Sequence, residues 1–301
     1  MAEGFVLALD FGGTKIDVGS ARLDGELIVS ERIETHADRG AVQAVERALD
    51  LARAVWERTE GDCLGAGAVS PGVIAEDGVL LAPNVPGWDL LRLPELLRDG
   101  LGVASIAVSN DVNAAALAEA RWGALAGCDV GVFVSLGTGV KAGIVIGGKV
   151  FEGAHGAAGE IGYSLRDAAD GAGFASGQAP LEEYVGGRAL GRRASKLVGA
   201  EISAAEAFSH PGLPAEFLDE WLAELSMHLA NLAIALDPQR IAVGGGLMAH
   251  ADTILPVLRE RIAAAVPFPP DVVAARFIRD GALRGAAALA IDDVAVVEEA
   301  R

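Results

Sequence analysis

Apolar positions along this chain recur with two distinct periods. Phe5 to Leu9 form a continuous apolar run, Gly12-Gly13 interrupts it, and Ile16, Val18 and Ser20 then alternate, with Leu23 beyond. Strand, glycine turn, strand is the expected reading. The same figure returns at Val130–Leu136, the turn Gly137-Thr138-Gly139, and Val140–Ile146, and even the exits ARLDGEL and VIGGKVF correspond. Val42, Val45, Leu49, Ala52 and Val55 keep helical spacing over 40–59. Cys63–Val69 reads as a strand stopped by Ser70-Pro71-Gly72. A loop over 81–88, a short helix over 94–101 and a strand over 105–108 follow. Ser109-Asn110-Asp111 then opens an alanine-rich helix from Val112 to about Trp122.

Beyond the second glycine turn, Gly153–Tyr163 is dominated by small residues that let the backbone pack closely, and 166–180 has no periodicity and reads as a loop. Helices are expected over 181–198, 216–236 (with Leu218, Leu222, Leu225, Leu229 and Leu232 as its stripe), 251–265 and 281–291. Strands are expected over 240–243, leading into Gly244-Gly245-Gly246-Leu247, and over 272–275. Alternating strands and helices with two hairpin-bearing halves predict an α/β architecture around a central cleft. The expected division is a small lobe over 1–108, completed by the C-terminal helix near 285–301, and a larger lobe over 109–284.

At 301 residues and 51% hydrophobic, the chain has length for about two domains and ample material for a core. No run approaches the roughly 20 apolar residues of a membrane span. The N-terminus leads directly into a strand without a basic or signal-like segment, so a cytoplasmic protein without a membrane partner is expected. Cys63 and Cys128, both in apolar settings, read as small core residues and not as a disulfide. The net charge of −18 argues against nucleic acid, which requires clustered Lys and Arg. An anionic ligand must then be held by local backbone donors and a metal ion.

The glycine turns fit that requirement. A dinucleotide fold or a P-loop would place a helix straight after the glycines, and neither copy does. A tight glycine turn aims backbone N–H groups one way, and threonine adds a hydroxyl. Two such turns, one per lobe, make a phosphate-binding plan. Asp111 has two readings: Asn110 or Asp111 caps the following helix, or Asp111 is a general base accepting a hydroxyl proton during phosphoryl transfer. Asp10 is placed to orient a magnesium ion through water.

The segments DFGGTK, SPGVI, APNVPGW, SNDVNAAALAEARWGA, LGTG, GAHGAAGEIG, LEEYVGG and VGGGL stand in this order. In that order they resemble the ROK family of sugar kinases, within the actin/hexokinase/Hsp70 ATPase superfamily, from Leu7 to about Ala290. The resemblance implies a two-lobed actin-like ATPase (ribonuclease H-like) fold and ATP- and magnesium-dependent phosphorylation of a sugar hydroxyl, usually the 6-hydroxyl of a hexose. It implies Asp111 as base. Gly72, Asn84, Asn110, Glu160, Tyr163 and Glu182 would lie about the sugar. Asp10, Gly12, Gly13, Thr14 and Lys15, with Gly137, Thr138 and Gly139, would lie at the phosphates, and Gly244, Gly245 and Gly246 beside the adenosine. It also implies a homodimer. Carboxylates and amides suit a polyol, since a site of paired hydrogen bonds rejects substrates lacking the matching hydroxyl.

The chain departs from the family pattern in a coordinated way. A zinc site is common in the family, made by a histidine and three cysteines, but those positions are Tyr163, Gly173, Ala175 and Pro180 here. None supplies a thiolate or imidazole. No zinc is expected, and the 164–180 loop is expected to be held by packing. The same histidine usually touches the sugar, so Tyr163 leaves the acceptor open between glucose and an amino-hexose. His155 is either a loop residue with a backbone partner or a ligand contact. Lys141, where the family usually has glycine, is either a solvated side chain or a point charge at the phosphates. The alternative to a kinase is a non-catalytic sugar sensor or regulator; the DNA-binding helix-turn-helix of such regulators would precede the first strand.

Overall fold

The computed structural model describes residues 4–75, 78–80, 86–171 and 173–299. The chain forms two compact units. One contains the N-terminal part to Ala118, Glu152–Ala157 and the C-terminal part from Asp280; the other contains Glu119–Phe151 and Ala158–Arg279.

The first unit is built on β1 (Phe5–Phe11), β2 (Lys15–Arg22), β3 (Leu27–Glu34), α1 (Ala41–Glu57), β4 (Cys63–Ser70), β5 (Val73–Ala75), β6 (Gly78–Leu80), α2 (Leu93–Leu101) and β7 (Ile106–Asn110), followed by α3 (Asp111–Trp122). Its main sheet has the order β3-β2-β1-β4-β7. β1 to β3 are antiparallel neighbours, while β1, β4 and β7 run parallel. β1 and β4 are largely buried, and β1 reads as an apolar run. β3 is a strand the apolar pattern does not announce. It lies at the sheet edge, so its residues alternate between half-buried and exposed.

The second unit holds β8 (Val130–Leu136), β9 (Val140–Ile146), β10 (Lys149–Val150), α4 (Glu182–Val185), α5 (Gly187–Val198), α6 (Ala204–Ala207), α7 (Glu216–Leu236), β11 (Arg240–Gly244), α8 (Ala251–Ala265) and β12 (Asp271–Ala274). Its sheet order, β10-β9-β8-β11-β12, repeats the first sheet strand for strand and direction for direction. Trp221, Leu225 and Leu229 of α7 share one core with Val132, Val134, Ile241 and Val243 of the sheet and Ile254, Leu258 and Ile262 of α8. Burying each such side chain contributes about 1.5–3 kcal/mol.

The C-terminal helix α9 (Gly281–Glu299) returns to the first unit and runs past the expected end at 291. The Ser105 hydroxyl donates to Asp293 Oδ2 at 2.5 Å, tying that extension down. Small residues bring α9 against both neighbours: a Cβ on Gly67 of β4 would fall 1.9 Å from the Ala286 carbonyl oxygen, and one on Gly285 would fall 2.1 Å from that of Ala114. This close contact fixes α3, and with it the β7–α3 junction at Asn110-Asp111.

The helix expected over 181–198 is two helices. The chain breaks at Gly186 (φ −59°, ψ 147°). The cause is the second glycine hairpin. A Cβ at Gly186 would meet the Glu182 carbonyl at 2.7 Å and the Thr138 carbonyl at 3.0 Å. The first N–H groups of α5 turn to hairpin carbonyls instead of continuing α4.

Candidate active site

Site residues of the first unit gather at the C-terminal ends of β1, β4 and β7. The β1–β2 hairpin is closed by Gly12 N–H donating to the Lys15 carbonyl at 2.9 Å. Its outward carbonyls are gripped by Thr35, a buried residue absent from the sequence-based site: the Thr35 hydroxyl donates to Gly12 O at 2.6 Å and its N–H to Thr14 O at 2.8 Å. With the carbonyls held, the turn exposes Thr14 and Lys15. Phe11, at the foot of the hairpin, lies 5.3 Å from the buried Trp88 ring, whose Nε1–H donates to Ser70 Oγ at 2.6 Å. Trp88 thus secures the turn at Pro71-Gly72, where Gly72 takes φ 98°. Asn84 lies outside the described residues.

Asn110 caps α3, its Oδ1 accepting the Asn113 N–H at 2.7 Å. Asp111 is the first residue of that helix, half-buried, with Oδ1 accepting the Val112 N–H at 3.0 Å. The cap reading therefore holds for Asn110 and leaves Asp111 oriented by its own helix start. Asp10 ends β1 in an acidic neighbourhood. Burial, then the charges of Asp111 and Asp17, push its carboxyl up to about 8, against the opposing pull of Arg32. Arg32 is occupied by Asp17 through a fork of 2.5 and 3.1 Å.

The second unit repeats the hairpin construction with different parts. Gly137 N–H donates to Gly139 O at 3.1 Å. The Gly137 and Thr138 carbonyls accept from the Gly187 and Arg188 N–H groups of α5 at 2.9 and 3.0 Å, and Thr138 is exposed. Glu182 backs the turn: Oε2 accepts the Val140 N–H at 3.1 Å, and a Cβ on Gly139 would lie 1.9 Å from it. Among the described residues, none accepts from the N–H groups of Gly13, Thr14, Thr138 or Gly139. β11 ends in the glycine run. Gly244 lies under the Phe133 ring, Gly245 takes φ 91° beneath the Leu136 carbonyl, and Gly246 has open space about it.

Beside Glu182 stand Glu160, Tyr163 and Lys141. Ala142 N–H donates to Gly159 O at 2.8 Å, and a Cβ on Gly159 would fall 1.9 Å from Ala142 O, so the small-residue segment lies directly on β9. That contact sets Glu160 against Lys141, whose Nζ donates to Glu160 Oε1 at 2.7 Å. Lys141 is not a solvated side chain: it pairs with Glu160 and is 23% exposed. Burial, then Glu160 and Glu182, push the Tyr163 phenol up, with Lys141 opposing. Tyr163 packs edge-on to Phe174 at 5.6 Å.

The 164–180 segment is further held by the Arg166 guanidinium, which reaches Glu224 at 2.8 Å and lies over the Tyr184 ring at 3.7 Å. Gly173 abuts Leu165. Among the described residues no three or more His, Cys, Asp or Glu side chains are grouped to hold a metal ion. No described helix is long and apolar enough to cross a membrane. His155 is exposed on a turn.

Two sheets of one order, each opening with a glycine hairpin, define the actin-like ATPase fold. The ROK family profile matches residues 6–293. A glucokinase of Streptomyces coelicolor is 31% identical over 315 residues, covering 95% of this chain and 98% of that protein. An N-acetyl-D-glucosamine kinase of Photobacterium profundum is 31% identical over 305 residues, covering 94% and 98%. Among solved structures, a ROK hexokinase from Thermus thermophilus superposes with TM-score 0.79 at 26% identity, covering 98% and 99%. A ROK glucokinase from Streptomyces griseus in complex with glucose and AMPPNP gives 0.78 at 28%, covering 96% and 100%. The chain belongs to the ROK family of sugar kinases.

Proposed function

We propose that this protein transfers the γ-phosphoryl group of ATP to a hydroxyl, the 6-hydroxyl, of a hexose or amino-hexose. The observation that carries the reading is the paired hairpin construction: each turn has its carbonyls held from behind and offers N–H groups and a threonine on the other side. Gly12, Gly13, Thr14 and Lys15 in one unit and Gly137, Thr138 and Gly139 in the other receive the phosphates, and Gly244–Gly246 the adenosine. Asp111 accepts the hydroxyl proton as the oxygen attacks phosphorus, the role of a positioned base in a loose transition state. Its bond to Val112 N–H keeps the carboxylate aimed.

Asn110, Glu160, Tyr163 and Glu182, with Gly72 and Asn84, form the acceptor side. Relatives named glucokinase and N-acetyl-D-glucosamine kinase support both neutral and N-acylated hexoses. The donor set also fits a magnesium ion. Asp10 is a carboxyl kept protonated by burial and two neighbouring carboxylates, a strain that a divalent cation relieves. Asp10 would hold the ion through water, and the ion would supply charge neutralisation at the phosphates.

ADP release measured by a coupled assay over glucose, mannose, fructose, N-acetylated hexosamines and free amino sugars tests the activity. Turnover on at least one is expected, and sugar binding without turnover on any would overturn it in favour of a sensor. Asp111→Asn is expected to lower kcat by at least about 10²-fold while calorimetry shows sugar binding retained. A variant within threefold of wild type would remove Asp111 from the role.

A further inference from the structure

Lys141 is an ionised residue of the second unit to which the proposed chemistry gives no task. It stands on β9 opposite Ser135, next to Val140, whose N–H Glu182 has taken. Its ion pair with Glu160 is largely withdrawn from water, the side chains being 23% and 12% exposed. The Gly159–Ala142 contact holds the two in register. An ion pair at that depth is weakly screened, and removing one member leaves the other uncompensated.

We infer that Lys141 determines acceptor specificity: by neutralising Glu160 it admits sugars uncharged where they meet that glutamate, hydroxylated or N-acylated, and rejects free-amine sugars carrying an ammonium. The inference rests on the kinase reading, in which Glu160 faces the acceptor. A lone, partly buried carboxylate is the partner a sugar ammonium would seek, but here Glu160 already has a cation at 2.7 Å. A second one would meet like charge. Glu182 is less free to turn to a sugar ammonium, since its Oε2 accepts the Val140 N–H and lies against Gly139. Tyr163 senses the same charges, with Glu160 and Glu182 acting one way and Lys141 the other.

The test compares kcat/KM for glucose, N-acetylglucosamine and protonated glucosamine in wild type, Lys141→Met, Lys141→Gln and Lys141→Arg. Met and Gln are expected to raise the ratio of glucosamine to glucose by at least about tenfold, and Arg to leave it near wild type. A ratio unchanged in both neutral variants overturns the inference. A second readout needs no turnover. Tyr163 and Tyr184 are the only tyrosines, and ultraviolet titration should show one phenol moving upward in Lys141→Gln. If neither moves in the folded variant, Lys141 does not act on this cluster. Wild type inactive on every sugar would instead defeat the kinase reading, with the titration still reporting on Lys141.

Discussion

Replacing Asp10 with asparagine should make the nucleotide-free protein more stable while abolishing its activity. In the fold the Asp10 carboxyl is pushed from 3.8 up to about 8, first by burial and then by Asp111 and Asp17. The folded state therefore holds a proton that the unfolded chain releases, so stability from this group is fully present below the unfolded pKa and drains away as pH rises toward 8. Every tenfold change in proton affinity between the two states corresponds to about 1.4 kcal/mol. Allowing for water and counterions reaching a part-exposed residue, the cost near pH 7 to 8 is on the order of 2–4 kcal/mol. Asparagine keeps the shape and carries no proton to lose. Urea denaturation at pH 5, 6, 7 and 8 should show the variant's advantage growing with pH to that size. With magnesium and nucleotide present the order should reverse, because only the carboxylate gains from the cation. A variant no more stable than wild type at pH 8, or an advantage that does not grow with pH, would refute this account of Asp10.

Thr35→Val removes the hydroxyl that holds the Gly12 carbonyl. It should cost about 1–2 kcal/mol in denaturant titration and raise KM for ATP more than KM for sugar. Gly186→Ala places a Cβ against the Thr138 carbonyl and should raise KM for ATP roughly tenfold by shifting the second hairpin. An unchanged KM would show that the hairpin tolerates the push. Protein purified without added metal is expected to contain no stoichiometric zinc by elemental analysis, and about one equivalent would overturn the packing account of the Tyr163–Phe174 segment.

Much of this architecture can be read from the chain because the main strands are buried apolar runs broken by glycine, and the long helices α1 and α7 carry clear apolar faces. The hairpins and the Asn110-Asp111 junction are legible because their chemistry is local. Thr35 is not, for it acts on a residue 23 positions away and sits in a loop with no periodicity. Nor is the partner of Lys141, since the pairing with Glu160 follows from Gly159 lying on Ala142, a contact between segments. The break at Gly186 hides inside a sequence with good helical spacing, because the force that opens it comes from a hairpin nearly 50 residues earlier.

The hold on the hairpin carbonyls has a consequence in the electronics of the peptide group. The Gly137 carbonyl and the Thr138 N–H belong to one amide, as do the Thr138 carbonyl and the Gly139 N–H. A hydrogen bond accepted at the oxygen of an amide polarises it and makes its N–H a better donor. Each contact from α5, like that of the Thr35 hydroxyl at Gly12, thereby strengthens the free N–H side of the turn. On the proposed reading, a molecule carrying a formal charge of −18 would grasp a polyphosphate with uncharged amides tuned from their far side.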